Sequence, residues 1–316
     1  MRLFVIGDVH VAAERVAARD LLGRRVVGVL NHRWRRRGRF DLSLLPGMAE
    51  RMAAEARGGD GACGLVCTGD VTTTGLAAEF DAARAALEPA RAAVVERGGE
   101  VWVVPGNHDA YTFAAARSGR VAERMAGWRA GPWPMAAEVC DGWRMLLLDS
   151  SKPNVVSSRG RLGAGQVAAL REALDATGEG EGEGLVVVCH YPPVVPGGVE
   201  GEWPDFERWG RRLAEGREVW EMMRRCRGRV VWLHGHVHEP WWWAAGEAAA
   251  VRPGGRGDAT AAMSAEGRGV VMINAGSPCV VDRRWPFGQG YWTVTLGMGP
   301  SGVRVSAEHR AGVASS

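Results

Sequence analysis

Short apolar runs recur along this chain, and each ends in glycine or in a polar residue. The runs at 2–7, 64–69, 101–106, 144–149, 185–190 and 229–235 are six or seven residues long and mostly aliphatic. Further runs of the same kind follow at 269–276, 291–297 and 302–306. Short apolar runs bounded by turn residues are typical of strands that are buried on both faces of a sheet. We therefore predict that these runs form buried strands.

Helical spacing of apolar residues separates the strand-like runs. The patterns at 76–98, 164–176 and 205–226 predict helices, and Pro89 is expected to kink or split the first of them. Alternation of strands and helices over the first two thirds of the chain, with strands again at its end, predicts the α/β class. A composition of 46% hydrophobic and 24% charged residues excludes a wholly disordered chain. No apolar run approaches the roughly 18 residues of a transmembrane helix, and no signal peptide is expected before the first run.

We predict one domain over 1–308 with two surface insertions. A basic cap insertion is expected at about 20–48 and a flexible insertion at about 244–269, while residues 309–316 are expected to form a frayed tail. The six cysteines include no CxxC pair. They are expected to be reduced thiols of a cytosolic protein rather than zinc ligands or disulfides.

Polar side chains that can bind metal follow five of the apolar runs. They are Asp8, His10, Asp70, Asn107, His108, Asp109, His190, His236 and His238. Because ligands of open α/β sheets gather outside the carboxyl ends of the strands, we expect these side chains to converge. Each motif alone has an ordinary structural explanation, such as a Gly-Asp turn, but their ordered placement at strand ends favours a metal site. Carboxylate, amide and imidazole donors suit Mn, Fe or Zn, and their number indicates two divalent ions with one bridging carboxylate.

In chain order these motifs resemble those of the calcineurin-like metallophosphoesterase family. The matching residues are Asp8-x-His10, Gly69-Asp70, Gly106-Asn107-His108-Asp109, His190 and Gly235-His236-x-His238. The resemblance spans about residues 2–297. It implies a four-layer α/β/β/α sandwich with a dinuclear metal centre at one edge, and the hydrolysis of phosphoesters by a metal-dependent phosphohydrolase.

The resemblance also implies a role for each side chain. The first ion would be held by Asp8, His10 and His238. The second ion would be held by Asn107, His190 and His236, and Asp70 would bridge the two. His108 would be the catalytic residue that faces the substrate phosphate. Asp109 and His234 would lie behind the ligands, with Asp109 orienting its neighbours.

General chemistry agrees with this assignment. Two ions about 3.5–4 Å apart lower the pKa of a shared water and clamp the attacking and leaving oxygens. The hydroxide would attack phosphorus in line, and protonated His108 would stabilise the phosphate oxygens or protonate the leaving alkoxide. The sequence contains no glycine-rich phosphate loop and no nucleophilic cysteine motif that would indicate a different mechanism.

The second motif separates branches of the family. Ser/Thr protein phosphatases have Asp-Arg-Gly after this motif, whereas residues 69–75 read GDVTTTG. A protein phosphatase is therefore disfavoured, and the motif order is more similar to the cyclic-nucleotide phosphodiesterase-like branch.

An arginine-rich segment lies between the first two motifs. Seven arginines and no acid occur within 24–39, and they leave a net charge of −4 on the rest of a chain whose total is +3. One interpretation is a solvated structural cap; the other is a segment that binds an anionic membrane surface. Candidate contacts with substrate or membrane are Trp34, Arg35, Arg36, Arg37 and, from the run EPWWW, Trp241. The run also has a structural explanation, in which its tryptophans cover the edge of the sandwich.

The basic insertion is similar to one found in UDP-2,3-diacylglucosamine pyrophosphohydrolases of lipid A biosynthesis. Our preferred substrate is accordingly a lipid-linked nucleotide pyrophosphate, with the enzyme in the cytoplasm or peripheral at the inner membrane face. A cyclic-nucleotide phosphodiesterase is the first alternative. A nuclease is disfavoured because the rest of the chain is acidic, so nucleic acid is not an expected partner. A non-catalytic metal-binding scaffold is disfavoured because the ligand set is complete.

Overall fold

The structure is a computed structural model of the chain, and it describes ten segments of it. These are residues 1–13, 40–110, 119–151, 159–178, 183–196, 211–247, 250–253, 263–281, 289–300 and 302–311. The strands in these segments are β1 (Arg2–Ile6), β2 (Cys63–Cys67), β3 (Val101–Val103), β4 (Met135–Cys140), β5 (Trp143–Leu148), β6 (Gly184–Cys189), β7 (Arg229–His234), β8 (Trp241–Ala244), β9 (Met263–Glu266), β10 (Gly269–Asn274), β11 (Gly290–Gly299) and β12 (Gly302–Ala311). The helices are α1 (Leu44–Gly58), α2 (Ala77–Glu96), α3 (Arg120–Arg124), α4 (Ala164–Asp175) and α5 (Gly216–Arg225).

The strands form two mixed sheets of six strands each. The first has the order β3-β2-β1-β11-β12-β9, with β3, β2 and β1 parallel and the remaining pairs antiparallel. The second has the order β4-β5-β6-β7-β10-β8, in which β5, β6, β7 and β10 are parallel. Parallel neighbours end at the same edge of a sheet, so each sheet brings its motif-bearing loops together.

Three apolar layers hold the sheets and helices together. The layer between the sheets contains Leu3, Leu147 and Val231, each fully buried. An outer layer packs α1 and α2 on the first sheet, and another packs α4 and α5 on the second. Alternate residues of β1 and of β6 belong to different layers, which explains why these runs are apolar at every position. The four-layer α/β/β/α sandwich implied by the motifs is confirmed.

Several elements differ from the sequence-based prediction. Pro89 lies inside α2 but does not split it. Strand β9 pairs with β12 inside the segment expected to be a flexible insertion, and β12 continues to Ala311 in the expected tail. Helix α1 begins within the expected cap insertion, whose residues 20–39 lie outside the described segments. Pairing or packing with distant parts of the chain fixes these elements. The local periodicity of the sequence carries no information about such contacts.

The three consecutive tryptophans are buried, which favours their structural explanation over contact of Trp241 with substrate or membrane. Trp241, Trp242 and Trp243 form most of β8 and are 0–4% exposed. Because successive side chains of a strand point to opposite faces, Trp242 enters the layer between the sheets and the other two enter the outer layer. Trp241 lies against His234, with ring centroids 4.8 Å apart, and is not positioned to contact substrate or membrane.

Two expectations about thiols and membrane spans can be compared with the structure. All six cysteines are free thiols. Among the helices of the described segments, none has the length and apolarity needed to cross a bilayer.

His309 is a buried histidine with an unusual environment. It lies opposite Trp292 on the β11–β12 ladder, is 3% exposed, and neither ring nitrogen has a hydrogen-bond partner among the described residues. Burial lowers the pKa of His309 to about 3. The folded chain therefore resists protonation of this ring over a pH range in which the unfolded chain accepts the proton.

This environment predicts acid lability. The stabilising effect of a neutral His309 is complete above the unfolded pKa of about 6.5 and is lost as pH falls from there towards 3. His309→Phe should reduce the loss of unfolding free energy between pH 7.5 and pH 5 by about 2 kcal/mol. Urea unfolding at both pH values measures this difference. An unchanged pH dependence in the variant would show that the folded ring accepts a proton readily.

Candidate metal centre

The loops that follow the strands carry a concentrated backbone strain. Within the described segments, five residues other than glycine have positive φ angles, between 49° and 72°. They are Asp8, His10, Asp70, His236 and His238. Residues with a Cβ adopt this left-handed region at a cost, and such strain clusters at functional sites. All five belong to the set that the sequence assigned to metal binding.

A first group of possible ligands lies in the loops that follow β1, β2 and β7. Its ligand atoms come from Asp8, His10, Asp70 and His238 and lie within 4.8 Å of one another. The Nε2 atoms of His10 and His238 are 2.9 Å apart. The Asp8 Oδ1 atom lies 3.8 Å from His10 Nε2 and 3.5 Å from His238 Nε2. Imidazole nitrogens and carboxylate oxygens thus face one point, as a metal ion requires.

A second group lies beside the first and shares Asp70 with it. Its ligand atoms come from Asp70, His190 and His236. The Asp70 Oδ2 atom is 3.3 Å from His190 Nε2 and 3.7 Å from His10 Nε2, so it lies between the two groups. Asn107 Oδ1 lies 3.2 Å from His190 Nε2 and 3.1 Å from His236 Nδ1. Asn107 therefore completes the second group.

Backbone hydrogen bonds join the loops of the two groups. The amides of Asp8 and His10 donate to the carbonyls of Gly69 and Asp70, each at 2.9 Å. The amide of His236 donates to both carboxylate oxygens of Asp8, at 3.1 and 2.8 Å. These bonds fix the spacing between carboxylates that belong to separate loops.

Two glycines allow the carboxylates to approach the backbone. A Cβ on Gly235 would lie 2.5 Å from Asp8 Oδ2, and a Cβ on Gly106 would overlap Asp70 Oδ1. Both distances are shorter than van der Waals contact. The Gly-His and Gly-Asn pairs of the motifs are therefore steric requirements of this centre.

Burial and charge set the protonation of the centre. Burial raises the pKa of Asp8 well above its ordinary value, against the charge of His190, and Asp70 raises it further. Burial acts in the same direction on Asp70, but the charges of His190 and His108 hold its pKa well below the ordinary value. Burial would lower the pKa of His190, yet Asp70 raises it to about 9. Cations and protons therefore compete for the same atoms, so acid should weaken metal binding.

His108 is held at the half-buried mouth of the centre. Its amide donates to Asp70 Oδ1 at 2.7 Å, and its Nδ1 lies 2.7 Å from the carbonyl oxygen of Thr73. A carbonyl accepts only, so Nδ1 carries the proton of this hydrogen bond. Its ring is 4.8 Å from that of His10.

Asp109 lies behind the ligands and connects two loops. Its carboxylate accepts hydrogen bonds from the amides of Gly106, Val71 and Thr72 and from the Thr72 hydroxyl, at 2.9–3.3 Å. Burial raises the pKa of Asp109 to about 6, and the charge of Asp70 adds to this rise. His234 is also buried, with its Nδ1 2.9 Å from the Gly235 carbonyl oxygen, and burial lowers its pKa to about 3.

The structure brings together all nine polar residues that the sequence singled out at strand ends. Trp34, Arg35, Arg36 and Arg37 lie outside the described segments. Three further residues of the site were not identified from the sequence. Glu79 accepts hydrogen bonds from Thr74 and Leu76, Tyr191 donates to Asn107, and Phe40 places its ring 5.0 Å from that of His10. Tyr191 follows a ligand directly, and Glu79 occupies the third position of a helix, where acidic side chains commonly cap.

Known proteins were compared with this chain. The sequence model of the calcineurin-like phosphoesterase family matches residues 1–240. The solved structure of a dimetal phosphatase from Danio rerio aligns over 99% of this chain and 96% of its own, with 14% identity and a TM-score of 0.56, which shows a shared fold.

Two proteins of Thermus thermophilus also align, over 98% of this chain. The sulfate thiohydrolase SoxB in complex with glycerol aligns over 56% of its own length, with 12% identity and a TM-score of 0.49. A 5′-nucleotidase precursor aligns over 54% of its own length, with 13% identity and a TM-score of 0.42. No curated protein matches the sequence.

The contacts of Asp109 predict that it holds the centre together. Asp109→Ala should lower the unfolding free energy by about 3 kcal/mol, because four buried donors lose their acceptor. It should also weaken Mn²⁺ binding about tenfold or more, since the loops carry ligands. Urea unfolding and Mn²⁺ titration measure the two effects.

A matched control is the exposed Asp41, which accepts hydrogen bonds from the amide and hydroxyl of Ser43 at 3.0 and 2.6 Å. Asp41→Ala should cost less than about 1 kcal/mol and should leave Mn²⁺ binding unchanged. Equal effects of the two variants on both measurements would contradict a joining role for Asp109.

Proposed function

The chain belongs to the calcineurin-like phosphoesterase family, whose members are metal-dependent phosphohydrolases, and from this premise we propose that it hydrolyses a phosphodiester or pyrophosphate with two divalent ions. The observation that carries the proposal is the pair of ligand groups that share Asp70. One ion needs three or four of these donors, whereas the two groups together offer seven side chains.

The ligand assignment follows the two groups. The first ion would be held by Asp8, His10 and His238, and the second by Asn107, His190 and His236. Asp70, which belongs to both groups, would be shared by the two ions. His190 Nδ1 lies 2.9 Å from the Thr68 carbonyl oxygen, which fixes its proton there and directs the Nε2 lone pair into the centre. This mixture of oxygen and nitrogen donors suits Mn, Fe or Zn.

The bound ions supply a water of lowered pKa and positive charge for the phosphate oxygens. The protein positions the other groups. His108, fixed through Nδ1, presents Nε2 towards the substrate and stabilises the phosphate oxygens or protonates the leaving oxygen. Buried Asp8 and Asp70 offer the carboxylate oxygens that would hold the cations, which leaves His108 to contact the substrate.

Removal of the His108 imidazole tests this role. His108→Ala should lower kcat with Mn²⁺ by about 10²–10⁴-fold on a bis-aryl phosphodiester, while two ions per chain remain bound. Hydrolysis kinetics and elemental metal analysis measure the two quantities. His309→Ala removes a histidine outside the centre and should leave kcat unchanged. Full activity of His108→Ala, or fewer than two ions in the wild-type chain, would contradict the proposal.

We propose a lipid-linked nucleotide pyrophosphate, such as UDP-2,3-diacylglucosamine, as the substrate. Support comes from the flanks of the arginine-rich segment. On one side Ala13 donates to Glu79 at 3.3 Å, and on the other Phe40 contacts the rings of His10 and His238, with centroids 5.0 and 5.7 Å away. The described residues that precede and follow this part of the chain, Ala13 and Phe40, thus lie beside the loops of the centre, and Phe40 adds an apolar ring there. A substrate with phosphate charge and apolar chains fits these features.

A substrate panel and a charge reversal test this finer proposal. The panel contains UDP-2,3-diacylglucosamine, cyclic nucleotides and aryl phosphodiesters; turnover of cyclic nucleotides alone would support the alternative and reject the lipid. The triple variant Arg35→Glu, Arg36→Glu, Arg37→Glu should lose binding to vesicles of anionic phospholipid. The control variant Arg217→Glu, Arg224→Glu, Arg225→Glu changes three exposed arginines of α5 and alters the net charge by the same amount. It should still bind these vesicles. Equal binding of both variants would contradict membrane recognition by this segment.

A further inference from the structure

Tyr191 is a buried residue between the second ligand group and the outer apolar layer. It lies two positions after Cys189, the last residue of β6, and directly after His190, and it is 1% exposed. Its hydroxyl donates to Asn107 Oδ1 at 3.0 Å. Its ring lies over that of His236, with centroids 4.1 Å apart and planes tilted by 39°. Tyr191 therefore contacts Asn107 and His236 and is the chain neighbour of His190. These are the three side chains assigned to the second ion.

Asn107 has an orientation problem that the other ligands lack. Its amide carries an oxygen on one arm and an NH₂ group on the other, and only the oxygen can bind a cation. A rotation of the amide by half a turn would present the wrong arm. A carboxylate has two equivalent oxygens, and an imidazole with one hydrogen-bonded nitrogen has one other nitrogen to bind the ion. Neither group has this ambiguity.

Three groups lie within 3.2 Å of Asn107 Oδ1. They are His190 Nε2, His236 Nδ1 and the Tyr191 hydroxyl. The two imidazole nitrogens must direct lone pairs at an ion that they bind, so neither can donate to the amide oxygen at the same time. Of the three, the Tyr191 hydroxyl is the group that still donates. By donating to the amide oxygen, the Tyr191 hydroxyl holds the oxygen arm at this position.

We propose that Tyr191 is a positioning residue whose hydroxyl holds the Asn107 amide oxygen, rather than its nitrogen, towards the second metal ion. The inference rests on the proposed dinuclear function and adds a determinant of ion affinity that lies outside the ligand set.

The surroundings of Tyr191 hold the hydroxyl in place. A Cβ on Gly160 would overlap the Tyr191 ring, so the backbone of Gly160 packs directly on it. Trp232 Nε1 donates to the Tyr191 carbonyl at 3.2 Å. Contacts of the ring with Gly160 and His236, together with the main-chain hydrogen bond, therefore restrict the side chain and keep its hydroxyl near Asn107.

Metal titration of the apo protein tests the proposal. Mn²⁺ is added to the full chain, and calorimetry gives the stoichiometry and the dissociation constant of each step. Tyr191→Phe keeps the ring and removes the hydroxyl. One step should weaken about tenfold and the other should change less than twofold, because one ligand group loses its orienting donor.

Tyr291→Phe is the matched control. Tyr291 is also buried, and its hydroxyl donates to Glu55 Oε1 at 2.8 Å, in the outer layer under α1. Removing this hydroxyl should leave both Mn²⁺ steps unchanged. Thermal unfolding of both variants shows the loss of stability that either hydroxyl contributes.

An Asn107→Asp background separates positioning from general damage. A carboxylate has two equivalent oxygens, so its orientation no longer matters. Tyr191→Phe should then change the weakened step less than twofold instead of about tenfold. Unchanged steps in Tyr191→Phe, equal weakening of both steps, or the same tenfold loss in the Asn107→Asp background would each overturn the proposal. A wild-type chain that binds fewer than two Mn²⁺ ions would instead contradict the dinuclear function itself.

Discussion

Two carboxylates buried side by side are the constraint on which the rest of this structure depends. Asp8 and Asp70 are 0% and 1% exposed, and the charge of Asp70 raises the pKa of both Asp8 and Asp109. A buried charge without a partner is costly by many kcal/mol, so these oxygens need protons or cations close to them. The surrounding imidazoles supply positive charge only when they are protonated, and a protonated nitrogen cannot bind a metal ion. A pair of divalent ions resolves this conflict, and the α/β/β/α sandwich places two sheet edges so that the ions can be shared.

The strained loops are the second part of the same arrangement. Five ligand positions adopt left-handed backbone angles, and hydrogen bonds between loops keep them there. Asp109 and Glu79 stabilise the loop after β2, since each accepts hydrogen bonds from two of its amides. Backbone strain is retained only where the surroundings fix it firmly. The apolar layers supply this rigidity, so the geometry of the candidate ligands depends on residues that lie behind them.

The sequence predicted those parts of the fold and site that local pattern determines. Strands β1, β6 and β7 are apolar runs, and a candidate ligand follows each of them within two residues. Both the strand and the ligand could therefore be predicted from the sequence. Strands β4, β8 and β9 were missed because their pairing partners, rather than their own periodicity, define them. The burial of Trp241 and the role of Tyr191 were hidden for a related reason: contacts with His234 and Asn107 arise only when distant segments fold together. Helix α1 was obscured by Pro46 and Gly47 in its first turn.

The most direct test of the account is a crystal structure of the Mn²⁺-loaded protein with anomalous diffraction data. Two anomalous peaks about 3.5–4 Å apart are expected. Asp70 should contact both, Asp8 one of them and Asn107 the other. A single peak, or two peaks that do not share Asp70, would contradict the claim that this edge of the sandwich is a dinuclear centre.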